Sequence, residues 1–483
     1  MSATAQTDSV PGRTFLGHPV GLFVLFFTEM WERFSYYGMR GLLKLYMVNY
    51  LFVTLRQGLQ GGKADTAGDP TAVWGWETFR HWIGVGPQWT NGAYASMIYG
   101  IYTGCVYLTP LLGGFLADRY WGQRKTVFLG GILMALGQFT LASDNWFFIG
   151  LFLLILGNGA FKPNISTQVG NLYPQGDPRR DGAFTIFYMG INIGAFISNL
   201  VCGTLAAKYG WRYGFAAAGV GMLLGLVLYS FGQRFLATDN RTLTRAAAAA
   251  SPSGAGHKGL DAGEKKRVLA LIGLCILNVV FWAVYEQQGN TMQTWAEDKT
   301  TWPVLFGFQV PSTWFQSCNP FFIFLLAPFF DMFWRWQSRR GSEPSSVSKM
   351  AIGSIILGLS FIVMVVGARV VGDHKGSWFW PVFCTLLLTV GELYLSPVGL
   401  SLVTKVSPAK IVSMMMGMWF LSSFLGNLLA GAIGVLYENK QLDAAQFFWL
   451  LTALGVGTGL AIWAFSKPLK SAMAPPPAES AKY

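Results

Sequence analysis

The chain has 483 residues, of which 52% are hydrophobic, 16% aromatic and only 12% charged, with a formal net charge of +12 and a mean hydropathy of +0.40. A soluble protein of this size carries roughly twice that charged share, which excludes an ordinary water-soluble domain. The positive balance does not mark a nucleic-acid binder either, because the basic residues fall between apolar runs instead of gathering on one face among stacking aromatics.

In chain order, residues 1–19 are polar, lack the features of a secretory signal and read as a cytoplasmic N-terminus. Twelve spans follow, at roughly 20–47, 91–117, 125–143, 146–170, 181–206, 212–235, 268–291, 312–334, 348–371, 378–405, 410–437 and 444–466. Each is near or above the ~20 residues a helix needs to cross ~30 Å of hydrocarbon. The connection 48–90 carries Trp74, Trp76, Trp82 and Trp89, expected as interfacial anchors in a short helix lying on the outer surface. Residues 237–267, polar and rich in small side chains, read as a flexible cytoplasmic linker between a six-helix bundle over 20–236 and a second over 268–466. Residues 467–483 form a cytoplasmic tail. Basic residues such as Arg124, Lys125, Arg179, Arg180, Arg339 and Arg340 follow even-numbered spans, so the positive-inside rule puts both termini in the cytoplasm. The five cysteines stand singly inside spans and read as small apolar packers, not as disulfides or metal ligands.

Ionisable residues within the spans are the informative exception. Such a side chain near the bilayer centre costs roughly 2.5–3.5 kcal/mol even on the lenient insertion scale, so it faces a partner or a cavity. Glu29, Glu32, Arg33, Tyr36, Tyr37 and Arg40 recur at spacings of three and four, which puts them on one face of the first helix. Glu29 and Arg33 are i,i+4 partners, and that ladder alone leaves Glu32 and Arg40 in need of partners elsewhere. At ~1.5 Å per residue, Glu32, Arg33 and Glu392 belong near midplane, with Lys162 somewhat nearer the cytoplasm and Arg40 and Glu286 together farther out. The first half holds the deep cations Arg33, Arg40, Lys44 and Lys162, whereas the second contributes the acids Glu286 and Glu392. That asymmetry suits a zwitterion with its carboxylate on Arg33 and Lys162 and its ammonium at Glu392. The surplus carboxylates are candidate proton carriers.

Glu29-Met30-Trp31-Glu32-Arg33-Phe34-Ser35-Tyr36-Tyr37 resembles the E-x-x-E-R-F-x-Y-Y motif of the proton-coupled oligopeptide transporters, a branch of the major facilitator superfamily. Phe161-Lys162-Pro163-Asn164 is similar to that family's helix-four segment, and Phe187 to Gly194 to its F-Y-x-x-I-N-x-G signature. Tyr285-Glu286-Gln287-Gln288 and Gly391 to Pro397 resemble its acidic sites on helices seven and ten. Gly113 to Lys125 resembles the facilitator loop motif, whose Asp118 is expected to sit at a helix terminus and pair across the cytoplasmic face.

The resemblance implies an all-α, twelve-helix membrane carrier that imports di- and tripeptides with protons by alternating access. It further implies that Arg33 and Lys162 take the peptide carboxylate, and that Glu392 with Asn192 and Asn319 takes the amino end. Tyr36, Tyr37, Tyr107, Trp282 and Trp419 would line the cavity. Glu29, Glu32, Arg33, Lys162 and Glu286 would couple protons, and Arg40 with Glu286 would close the outer gate. Asn192 and Asn319 also read as helix-to-helix hydrogen-bonding residues, and the aromatics as packing.

The chain departs from the family in three places. No room exists in 237–267 for the two extra helices of many bacterial members, and none between spans nine and ten for the outer domain of animal ones. The position of the animal helix-two histidine is Gly100. His18, His81, His257 and His374 lie outside the spans, so coupling is expected to rest on carboxylates. The partners expected are di- and tripeptides, protons and the lipid bilayer of the plasma (inner) membrane. No nucleic acid, cofactor or metal is expected, and the carrier is expected to be a monomer. The alternatives are a facilitator for another small anionic or zwitterionic solute and, in a different class, a membrane-embedded enzyme or a peptide sensor.

Overall fold

A backbone in hydrocarbon must satisfy its own N–H and C=O groups, so the long apolar runs have one structural solution, the helix. The computed structural model describes residues 14–53, 73–83, 89–174, 177–237, 260–408, 411–464 and 466. Among them are twelve helices of 19 residues or more, numbered α1 to α12 in chain order. They are Val20–Tyr46, Asn91–Leu116, Gln123–Leu141, Phe147–Asn171, Arg179–Tyr209, Trp211–Gly232, Ala262–Tyr285, Cys318–Arg339, Ser346–Val371, Phe379–Val406, Val412–Glu438 and Ala444–Ala464. Ten of these stretches are long and apolar enough to cross a membrane. The other two are α1, with five charges in its 27 residues, and α3, which opens on Arg124 and Lys125.

The helices gather into two units: residues 1–91, 108–251 and 307–321 in one, residues 92–107, 252–306 and 322–483 in the other. Most of the expected linker 237–267 lies outside the described residues.

In the first unit α1 is enclosed on nearly every side. Leu42, which helical spacing puts opposite the charged stripe, is as buried as Glu32. Glycines permit this. A Cβ on Gly194 of α5 would run into the Met30 carbonyl, and one on Gly221 of α6 into the ring of Phe34. Gly194→Val is therefore expected to cost about 1–3 kcal/mol through overpacking and to lower the melting temperature in detergent. A variant that melts with the parent would show slack in this seam.

Beyond α1, a π turn over Met47–Leu51 accompanies the stacking of Tyr50 on Tyr46, and both hydroxyls donate to Asp144, at 2.7 Å from Tyr46 and 3.2 Å from Tyr50. At the start of α1, a hairpin of Thr14–Phe15 and His18–Pro19 turns through Leu16 and Gly17, both at positive φ. His18 Nδ1 lies 2.8 Å from the Tyr173 hydroxyl, and Arg179 donates to the Gly17 carbonyl at 3.0 Å. Arg179 also donates to Asp177 at 2.7 Å, a bond that holds the Asp177 carboxyl down at about 2. A depressed carboxyl contributes stability above its unfolded value and loses it only as pH falls through the folded one. Arg179→Ala is thus expected to raise amide exchange in residues 14–19, and the parent's protection there to stay constant between about pH 5 and pH 8. A parent latch that loosens within that window would contradict the assignment.

In the loop motif after α2, Asp118 lies at a helix terminus as expected, and a second residue anchors the loop. Asp118 is exposed in a π turn over Ala117–Trp121. Arg124 makes the tie, donating to the Leu236 and Ala237 carbonyls at 2.6 and 2.8 Å, where a guanidinium satisfies carbonyls beyond α6. The 48–90 connection does form a short helix, Trp76–Trp82, with Trp74 63% and Trp82 81% exposed. Trp76 is not an interfacial anchor: it is 5% exposed, with ring centroids 5.1 Å from Phe52 and 6.4 Å from Phe148.

In the second unit α9 packs on α10 and α12, and α7 on α11. Gly100, on the α2 segment of this unit, lies so close to the backbone of Asn427 and Gly431 that no imidazole would fit there. The seventh helix departs from its expected span at both ends. It starts at Ala262, ahead of the expected residue 268, because Asp261 and Glu264 form a reciprocal capping box. It stops at Tyr285, gives way to a 3-10 turn over Glu286–Gln288, and resumes as a short helix over Thr291–Asp298. All five cysteines are free thiols.

Candidate functional site

The helix-one motif folds into a buried ion cluster. Glu29, Glu32 and Arg33 are all nearly inaccessible. Arg33 Nε lies 3.3 Å from Glu29 Oε1 and bonds Glu32 Oε2, while Arg33 Nη2 donates to Glu32 Oε1 at 2.6 Å. One guanidinium thus serves two carboxylates. Neighbouring side chains on a helix diverge, so the Glu32–Arg33 bond requires the long arginine arm to curl back. Glu32 takes a further bond from another helix, Asn158 Nδ2 of α4 to Glu32 Oε1 at 3.3 Å.

Lys162, one helical turn beyond Asn158, stands within electrostatic reach of Glu29, Glu32, Arg33 and Arg40. The Arg33 guanidinium also sits 5.1 Å from the Tyr36 ring centroid and 6.0 Å from Tyr37, and that of Arg40 lies 6.0 Å from Tyr37 as well. Cations over aromatic faces keep part of their stabilisation where water is scarce. Seven of the expected site residues, Glu29, Glu32, Arg33, Tyr36, Tyr37, Arg40 and Lys162, therefore form one neighbourhood in the first unit.

The second unit has its own polar interior at the break after α7. Glu286, Gln287, Gln288, Asn290, Thr291, Gln293 and Thr294 are all buried. Over Glu286–Asn290 the backbone has left the α-helical ladder, and side chains take over: Gln287 Nε2 donates to the Ala430 carbonyl at 2.9 Å and Ser96 to Asn290 Oδ1 at 2.9 Å. One turn earlier, the Trp282 ring lies 6.4 Å from Tyr107 and 5.3 Å from Tyr285. The Trp282 indole N–H has no hydrogen-bond partner among the described residues.

The POT family model matches residues 124–250 and 247–450. The chain belongs to the POT family. It is 35% identical to the peptide transporter YePEPT of Yersinia enterocolitica subsp. palearctica, over 91% of this chain and 92% of that protein. It is 33% identical to the di-/tripeptide transporter of Lactococcus lactis subsp. cremoris, over 95% and 98% of the two chains. Among solved structures, it superposes on a peptide transporter POT in complex with sulfate with a TM-score of 0.79 at 33% identity, covering 96% of this chain and 98% of that one. The POT-family chain is accordingly a multi-pass membrane transporter with the major-facilitator fold.

The remaining expected residues of this POT member are distributed as follows. Asn192 is buried and its amide donates to the Tyr188 carbonyl of its own helix at 3.0 Å, a bond within one helix and not between two. Asn319 belongs to the first unit and is half-buried. Glu286 is buried and Glu392 half-buried, both in the second unit. Trp419 is buried with its ring against Gly399.

Three polar features escaped the sequence reading. Asn158 is neutral and sits in a Gly-Asn-Gly stretch that reads as helix packing; its spacing of four from Lys162 was the available signal. The Gln287–Thr294 run was legible as a polar interruption that an apolar span cannot contain. Lys349 is a buried cation of the second half, donating to Glu343 at 2.6 Å and lying 4.5 Å from the Trp334 ring. It lies in the first turn of α9 and so does not alter the two acids assigned to the interior.

Proposed function

We propose that the protein is a proton-coupled symporter that imports di- and tripeptides by alternating access. It would act as a monomeric carrier and not an enzyme, in the plasma (inner) membrane with both termini cytoplasmic. The observation that carries this reading is the shared guanidinium: Arg33 is held by Glu29 and Glu32 together. A proton arriving from outside neutralises one of the two acids, the guanidinium loses half of its hold, and a peptide carboxylate takes the vacated donors. Lys162 supplies a second cation within reach of the same cluster. Glu392, with Asn192 and Asn319, receives the peptide's amino end. Tyr36, Tyr37, Tyr107, Trp282 and Trp419 provide aromatic walls, and the unspent Trp282 indole N–H is a donor for substrate. Closure of the outer mouth by Arg40 on Glu286 follows. Release inside accompanies loss of the proton, when the carboxylates reclaim Arg33.

The names of the relatives from Yersinia and Lactococcus support peptides as the substrate class. The test is uptake of labelled dipeptide into proteoliposomes under an inward pH gradient. Accumulation above the outside concentration is expected, and entry that only equilibrates and ignores the gradient would overturn the symport reading.

A further inference from the structure

Asn158 is 1% exposed in the middle of α4. Its Nδ2 donates to Glu32, and its Oδ1 has no partner among the described residues. A primary amide carries both a donor and an acceptor, whereas a guanidinium only donates. Arg33 can therefore bond Glu32 as a carboxylate but offers nothing to the O–H of a protonated acid. Asn158 can serve both forms: turned half a rotation about its Cβ–Cγ bond, it presents the idle Oδ1 to that O–H.

The charged groups around Glu32 among the described residues are Glu29 and Arg33 from α1 and Lys162 from α4. The other packed helices bring neutral groups. Gln138 of α3 bonds Ser35, Gly194 of α5 abuts Arg33, and Gly225 of α6 backs the Glu32 amide. No neutral side chain besides Asn158 is bonded to Glu32 among the described residues.

We propose that Asn158 is a positioning residue for proton coupling. Its amide holds Glu32 in place in both protonation states, so the acid keeps one partner while Arg33 leaves for substrate. The proposal rests on the coupling role given to Glu32 above. The proton itself comes from outer water and returns to inner water, and Asn158 neither gains nor loses one.

The experiment compares the parent with Asn158→Leu, Asn158→Ser and Asn158→Ala in proteoliposomes. Alanylalanine is the probe, with gradient-driven uptake and gradient-free counterflow both measured. Leucine keeps the branching and the number of heavy atoms and removes both hydrogen-bonding functions. Driven uptake is expected to fall about tenfold or more while counterflow falls less than about threefold, with the pH profile of driven uptake displaced from the parent's. Serine, whose hydroxyl donates and accepts, is expected to restore much of the driven-to-exchange ratio that alanine loses. Equal loss of both activities in the leucine variant, or driven uptake within about twofold of the parent, overturns the proposal. If the leucine variant does not insert, equal ratios in the serine and alanine variants overturn it instead. A parent that exchanges peptide but shows no driven uptake would refute the symport reading itself, which separates that failure from a failure of Asn158.

Discussion

Glu32→Gln is expected to abolish uphill accumulation of peptide while exchange across the bilayer continues. Glutamine matches the shape of a protonated glutamate and keeps a group for Asn158 to bond, but it can neither take up nor release a proton. Arg33 is then left with Glu29 as its one carboxylate in this cluster, so its guanidinium is permanently half-released for substrate. On the proposed mechanism one proton moving down a single pH unit supplies ~1.4 kcal/mol, and its charge crossing 100 mV supplies ~2.3 kcal/mol. A parent protein with one unit of gradient and no potential should therefore approach about tenfold accumulation per proton, and the variant about none. Counterflow measured on the same liposomes separates a coupling defect from a dead protein. Uphill uptake that survives the substitution would count against Glu32 as a proton site.

Lys162→Ala is expected to weaken peptides with a free carboxylate by roughly ten- to a hundredfold, the size of a lost hydrogen bond to a charged group, and to spare their methyl esters. Competition of each peptide and its ester against a labelled dipeptide gives the comparison. Equal loss for acid and ester would refute a carboxylate role for Lys162. The structure makes this a cleaner test than Arg33→Ala. Removing Arg33 strands two buried carboxylates that share it, and leaving a buried charge unpaired costs about 3–5 kcal/mol. The arginine variant is therefore expected to lose folded protein as well as substrate discrimination, and a fall in melting temperature in detergent would show that loss directly.

Much of this arrangement is legible in the sequence. The i,i+4 spacing of Glu29 and Arg33 gave their pairing outright, because a helix brings residues four apart onto one face. The same rule argues against the Glu32–Arg33 bond, which exists because an arginine arm is long enough to double back when burial leaves it no water. Helix seven shows the converse. Its ends were misplaced because a capping box extends the start and a run of buried amides breaks the finish, and both are side-chain effects that mean hydropathy averages away. Composition marks Trp76 as a membrane anchor, whereas two phenylalanines from other segments make it part of a packed core.

The sequence by itself determined the class of molecule, the approximate helices, the charges that lie inside them and the family, because hydrophobic length, charge cost and motif spacing are local properties of the chain. The tertiary structure decided which group satisfies each buried charge. Asn158 reaches Glu32 across 126 positions of sequence. Desolvation obliges every buried ion to find a partner, but which one it finds depends on which helices the glycine seams allow to meet.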